Sequence, residues 1–225
     1  MKTDLKNIKN IFFDLDGTIT NSKVGITKSA AYALRSFGIS VTDLDDLLPF
    51  IGPPLKESFM RYYDFTEQDA ILAVRKYGEY FSKIGLYENA VYSGIESMLH
   101  QLRLKKRTLF VATSKPTYFA IKILSHFHLL SYFHSVFGSE LDGTRSQKDE
   151  VLLYGLEQRH ITDLSTTIMI GDRLYDIYGA KKAGISSIGV LYGFGSRFEL
   201  EDAGADYIIE TVSALSALLT GTKLV

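Results

Sequence analysis

Asn10-Ile11-Phe12-Phe13-Asp14-Leu15-Asp16-Gly17-Thr18 joins a short apolar run to two carboxylates one residue apart. Ile11, Phe12 and Phe13 have high β propensity and no polar interruption, the pattern of a strand buried on both faces of a parallel sheet. The acids then fall at the strand's C-terminal end, the edge where open α/β sheets bind ligands. Gly17 permits a sharp turn and brings backbone N–H groups near an anion. Read alone, the stretch also fits a plain β-turn of Asp and Gly. A Ca²⁺ loop fits poorly, because Gly falls fourth from Asp14 rather than sixth.

The chain has 225 residues, 46% hydrophobic and 23% charged, with a net charge of −1. That length supports one large or two smaller domains, and that charge gives no bulk attraction for nucleic acid or an anionic membrane. Phosphate-bearing ligands must therefore be held locally. With no Cys there are no disulfides or thiolate metal sites. Met1-Lys2-Thr3-Asp4-Leu5 lacks an apolar signal segment, and no apolar run approaches the ~20 residues that span a bilayer, so a cytoplasmic location is expected.

After Thr18 the periodicity becomes helical. Ser22 is placed to cap a helix carrying Ile26, Ala30, Ala33, Leu34 and Phe37, with Gly38 ending it. Residues 43–48, 54–63 and 66–83 also read as helices, broken at Pro49, at Ile51-Gly52-Pro53-Pro54 and at Asp64-Phe65-Thr66. From Ser93 the rhythm is βαβ: helix 94–106, strand 108–112, helix 116–127, strand 135–137, helix 147–160, strand 167–170, helix 174–183, strand 186–190, strand 207–209 and helix 212–219. The expected fold is α/β, a doubly wound Rossmann-like parallel sheet with an inserted all-helical cap. Residues 1–20 and 91–225 form the catalytic core and 21–90 the cap, with hinges near 20–22 and 87–93.

In a parallel sheet the polar residues after each strand gather at one edge. Strand 108–112 is followed by Thr113-Ser114-Lys115-Pro116, hydroxyls at a helix start that suit an anion or serve as N-caps. Strand 167–170 runs into Gly171-Asp172-Arg173-Leu174-Tyr175-Asp176. Asp near a helix N-terminus also has a structural use, but several carboxylates converging with Asp14 and Asp16 would repel without a cation. Hard oxygen ligands point to Mg²⁺. Lys148, near the start of helix 147–160, is either a solvated charge or a cation reaching in to a phosphoryl group.

The ordered set of Asp14 to Thr18, Thr113, Lys148 and Gly171 to Asp176 resembles the four motifs of the haloacid dehalogenase-like hydrolases across essentially the whole chain. The helical insert is similar to the subgroup of phosphoglycolate phosphatases and nucleotide 5′-phosphatases. Asn21 departs from the Asp found in many members. The resemblance implies a phosphatase for a small phosphorylated metabolite, with Asp14 as nucleophile, Asp16 as general acid and base, and Lys148 countering phosphoryl charge. It also implies a phosphate cradle of Gly17, Thr113, Ser114 and Lys148, and Mg²⁺ held by Asp14, Asp16, Asp172 and Asp176. Substrate selection falls to the cap, with Gly52 and Pro53 in its turn and Lys23 and Lys56 facing an anionic leaving group or solvent. A hexose-phosphate mutase and a non-catalytic phospho-ligand module are the alternatives.

Overall fold

The computed structural model describes residues 5–221, so the Met1–Asp4 part of the N-terminal reading lies outside the described residues. In chain order the elements are β1 (Asn10–Phe13), β2 (Thr20–Asn21), α1 (Lys23–Arg35), α2 (Leu55–Tyr63), α3 (Glu67–Tyr80), β3 (Ala90–Val91), α4 (Ile95–Leu104), β4 (Thr108–Pro116) and α5 (Thr117–His126). There follow β5 (Ser135–Ser139), α6 (Lys148–Gln158), β6 (Thr167–Gly171), α7 (Leu174–Ala183), β7 (Ser186–Val190), α8 (Arg197–Ala203), β8 (Tyr207–Ile209) and α9 (Val212–Thr220). Six strands form one parallel sheet in the order β5-β4-β1-β6-β7-β8. The chain winds outward from β1 to β4 and β5, then returns to the other side of β1 through β6. The order therefore reverses at β1, which opens a ligand crevice beyond the C-terminal ends of β1 and its neighbours.

Side-chain alternation assigns the two faces of this sheet. Phe12, Phe110, Ala112, Phe137 and Met169 pack under Val151, Leu152 and Leu156 of α6 and Ala180 and Ala183 of α7. The Phe12 and Phe110 rings stack at 4.7 Å. Ile11, Phe13, Leu109, Val111, Ile168 and Ile170 occupy the opposite face and are equally buried. Covering both faces is why these strands are continuous apolar runs; each large side chain so buried contributes about 1.5–3 kcal/mol.

The chain divides into two compact units, one running through Thr20 and resuming at Val91, the other Asn21–Ala90. The short strands β2 and β3 pair where the chain crosses between them. The Asn21–Ala90 unit is otherwise helical and has its own core, in which Phe50 meets Phe59 edge-on at 4.9 Å and Phe37 meets Phe65 at 4.7 Å.

Several local expectations change. Ser22 precedes α1 but makes no side-chain cap bond, and Asn21 Oδ1 accepts the Lys23 N–H at 3.2 Å instead. The 43–48 segment is a 3₁₀ helix, Leu44–Phe50, that includes Pro49. Proline's fixed φ suits a 3₁₀ turn, and Asp43 caps the segment by accepting the Asp45 N–H. α3 continues as one π-helical turn, Phe81–Gly85. β4 runs on through Pro116, so Thr113 and Ser114 belong to the strand and Pro116 holds the α5 cap position. The reading of the two hydroxyls as N-caps therefore fails.

Candidate active site

β1 delivers Asp14 to the crevice, and the β1–β6 ladder continues one residue further, with Asp14 N–H donating to the Ile170 carbonyl at 2.8 Å. The chain then wraps tightly: Ile19 and Thr20 N–H both bond the Leu15 carbonyl, and Gly17 N–H bonds that of Thr20. Gly17 has φ +83°, and a Cβ there would lie 2.2 Å from Asp172 Oδ2. Both the turn and this close approach to the adjacent strand end demand glycine.

Three carboxylates and one ammonium form the centre. Asp14, Asp172 and Asp176 each offer an oxygen within 4.8 Å of the others, and all three are buried. Lys148 Nζ pairs with Asp14 Oδ1 at 2.9 Å and Asp176 Oδ1 at 2.8 Å and donates to the Ala112 carbonyl at 3.0 Å, so one ammonium is shared between two acids. Leu15 N–H donates to the same Asp14 oxygen at 2.7 Å. Lys148 is 4% exposed, which rules out the solvated-charge reading. Asp176 is fixed by the Arg173 N–H at 3.0 Å, and the first turn of α7 by Glu199, which accepts from Arg173 Nε at 2.8 Å and Leu174 N–H at 2.9 Å.

The electrostatics follow from removing these charges from water. Burial lifts the Asp14 carboxyl from 3.8 to about 7, with Lys148 opposing and Asp176 adding to the rise. Burial, then Asp176 and Asp14, push Asp172 well above the usual carboxylate range. Burial works against the Lys148 charge, but Asp14 and Asp176 hold its pKa above the ordinary lysine value. One ammonium does not satisfy three carboxylates, and the imbalance suits a hard divalent cation.

Asp16 stands apart from that cluster. Its Oδ2 pairs with Lys115 Nζ at 2.8 Å, with both side chains nearly buried, while its Oδ1 is buried with no hydrogen-bond partner. Buried polar atoms are nearly always hydrogen-bonded, so this oxygen is an exception that calls for an explanation. Thr113 is buried and its hydroxyl accepts the Lys115 N–H at 3.3 Å; Ser114 is half-buried, its carbonyl held by Ser139 Oγ at 2.9 Å.

In the Asn21–Ala90 unit, Gly52 has φ +111° beside Pro53. Lys23 pairs with Asp45 and Lys56 with Glu67, each at 2.6 Å, so both cations engage acids of their own unit. Lys115, Glu199 and the loop Tyr192-Gly193-Phe194-Gly195 lie beside these acids without a sequence pattern that marks them as site residues. Ser196-x-x-Glu199 is a capping-box signal that marks the start of α8.

This arrangement gathers acids and a lysine at one strand edge of a doubly wound sheet. The sequence profile of the haloacid dehalogenase-like hydrolases matches residues 11–190, and the chain belongs to that family. It is 45% identical over 93% of its length to a 5'-nucleotidase of Pseudomonas aeruginosa, covering 95% of that protein. It is 36% identical over 92% of its length to the tyrosine-protein kinase PtkA of Mycobacterium tuberculosis, covering 70% of it, and 25% identical over 93% of its length to a phosphoglycolate phosphatase of Vibrio parahaemolyticus, covering 95% of that. A crystal structure described as a "predicted phosphatase" from Clostridium acetobutylicum has a TM-score of 0.91 and 50% identity, covering 93% of this chain and 96% of that one. Among the described residues no helix is long and apolar enough to cross a membrane.

Proposed function

We propose that this hydrolase is a Mg²⁺-dependent phosphomonoesterase acting on a nucleoside 5′-monophosphate, with small phosphates such as 2-phosphoglycolate as the second substrate class. The observation that carries the reading is the pairing of two differently built carboxylates: Asp14, held by Lys148 within the acid cluster, and Asp16, held by Lys115 with one oxygen bare. Such separation of environments gives two carboxyl groups two roles. The nucleotide is favoured by the 45% identity to the Pseudomonas nucleotidase.

Asp14 attacks phosphorus in line, forming an O–P bond to its carboxylate as the ester P–O bond breaks. Asp16 gives its proton to the departing alkoxide. Water then attacks the aspartyl-phosphate, Asp16 takes its proton, and the Asp14–phosphorus bond breaks to release inorganic phosphate. Asp14, the Asp16 carbonyl, Asp172 and Asp176 would hold Mg²⁺, which neutralises charge on the phosphoryl oxygens when bound. Lys148 orients Asp14 and offsets the same charge; Thr113, Ser114 and the N–H groups around Gly17 cradle the phosphoryl group. These groups address only what every phosphomonoester shares. Leaving-group selection is therefore assigned to the Asn21–Ala90 unit, with Gly52 and Pro53 as the turn to test.

The test is release of inorganic phosphate from an aryl phosphate with Mg²⁺ and with chelator, then from a panel of nucleotides and phosphoglycolate. Full activity in excess chelator would refute the metal assignment. Turnover of phosphoglycolate above every nucleotide would refute the substrate class. The likeness to PtkA raises transfer to an acceptor other than water, a protein tyrosine or, as in a mutase, a sugar hydroxyl. Both share the first half-reaction, and phosphate release without any acceptor separates them from a hydrolase. Gly52→Leu should alter kcat/KM for the best metabolite more than for the aryl phosphate; equal losses would count against the cap as selector.

A further inference from the structure

We propose that the loop between β7 and α8 is a positioning strap for Asp172, and that Tyr192, Gly193 and Gly195 set this residue's fitness as a cation ligand; this rests on the Mg²⁺ reading above. β7 lies beside β6 in the sheet, and Leu191 N–H extends its pairing with β8 through the Ile209 carbonyl at 2.8 Å. The chain then folds back over the β6 end instead of leaving it. Phe194 N–H donates to Asp172 Oδ2 at 2.7 Å, a charge-assisted bond from a rigid backbone donor. The other oxygen, Oδ1, is approached by Thr18 Oγ1 only at 3.4 Å. The strap thus fixes the carboxylate rotamer by one oxygen and leaves the second for an ion.

The fit of the strap depends on missing side chains. A Cβ on Gly193 would lie 2.4 Å from both Asp172 Cβ and the Gly17 carbonyl, and one on Gly195 would lie 1.9 Å from the Asp172 carbonyl. Neither glycine has positive φ, so the need is for space and not for an unusual backbone conformation. Tyr192 ties the strap to the other acid-bearing segment: its hydroxyl donates to the Thr18 carbonyl at 3.1 Å and its ring meets Tyr92 edge-on at 5.1 Å. At the far end Ser196 accepts the Glu199 N–H, and the Glu199 carboxylate returns to Arg173 and Leu174. Asp172 itself and the turn after Asp14 are therefore gripped by one six-residue connection, and the two residues after Asp172 by Glu199 of the helix it leads into. Groups that orient a metal's ligands typically change its affinity by about 10–100-fold when altered.

The experiment is calorimetric titration of the purified full chain with Mg²⁺, without substrate, for wild type, Gly193→Ala and Tyr192→Phe, with circular dichroism to confirm folding. Gly193→Ala should raise the Mg²⁺ Kd by about tenfold or more, because the added methyl displaces Asp172. Tyr192→Phe, which deletes only the hydroxyl and leaves the Phe194 N–H bond to Asp172, should raise it about threefold, below that range. In both, activity lost at limiting Mg²⁺ should return as Mg²⁺ is raised. If Gly193→Ala does not fold, Tyr192→Phe decides. Folded variants that bind Mg²⁺ as tightly as wild type would overturn the strap alone; wild type that takes up no Mg²⁺ would overturn the metal reading and the strap with it.

Discussion

Lys115 Nζ and Asp16 Oδ2 form a 2.8 Å ion pair, separate from the one Lys148 makes with Asp14. The two acids of one short turn thus have different cations, contributed by β4 and α6. Lys115 is placed by backbone packing, since a Cβ on Gly138 of β5 would lie 2.3 Å from the Lys115 carbonyl.

Lys115→Met should lower both stability and turnover. Removing one partner of a buried pair leaves the other charge uncompensated, at a cost on the order of 3 kcal/mol. Asp16 also loses the contact that aims its free oxygen, so kcat should fall by about tenfold, less than the loss of general acid–base help itself. Urea unfolding in chelator and steady-state kinetics read the two effects, and Lys115→Arg should recover part of each. Unchanged kcat in Lys115→Met would separate the pair from catalysis.

Asp14→Asn should abolish turnover, because an amide does not attack phosphorus. Asp16→Asn should lose about 10²–10⁴-fold and accumulate phosphorylated enzyme with activated donors. The stability of the metal-free protein should move the other way at Asp14. Its ionisation is disfavoured in the fold, so a neutral isostere relieves that cost at pH 8, and Tm in chelator should equal or exceed wild type. Substantial steady-state activity in Asp14→Asn would sink the covalent mechanism.

The fold was legible where local pattern and tertiary packing agree. α7 and β7 occupy Leu174–Ala183 and Ser186–Val190, the spans the periodicity indicates, and Gly184 between them supplies a left-handed C-cap at φ 72°. β4 runs beyond its apolar run because its last residues are extended by pairing with β5, where Pro116 meets Ser139 across a register shift. That contact depends on Gly138, which no local pattern reveals. α8 leaves no periodic signal because seven residues hold too few turns. At the site, strand-end logic brings Asp14 and Asp172 to adjacent strands. Lys115 was hidden among Thr113 and Ser114, where hydroxyls before a proline resemble a cap, and the strap was hidden because contacts between distant backbones leave only glycines as their trace.

Asp172→Ala and Lys148→Ala should fail differently. Asp172 makes no ion pair with a lysine in the cluster, so its loss should chiefly raise the Mg²⁺ concentration needed for activity. Lys148 holds two acids and a carbonyl, so Lys148→Ala leaves Asp14 and Asp176 facing one another and should lower Tm in chelator, with Mg²⁺ restoring much of it. Activity should remain low even at saturating Mg²⁺, because the phosphoryl group loses a cation. Identical Mg²⁺ dependence in the two variants would argue against distinct roles.

The last expectation is a reversal of pH dependence by the metal. Asp14 titrates near 3.8 when unfolded and at about 7 in the fold, so between those values the native state holds a proton that the unfolded chain has released. Stability rises with pH only where the unfolded state binds more protons, so here the sign is negative. The metal-free protein should lose stability as pH rises from about 4 to 7, and Asp172, shifted in the same direction, extends the trend. A cation binds the ionised carboxylates, so it competes with those protons and its affinity rises over the same window. The increase in Tm produced by Mg²⁺ should therefore grow from pH 5 to pH 8, and the acid limb of activity should move to lower pH as Mg²⁺ is raised. Thermal melts across pH in chelator and in Mg²⁺ measure both effects; a Mg²⁺ shift independent of pH would show that these carboxylates do not take up the ion.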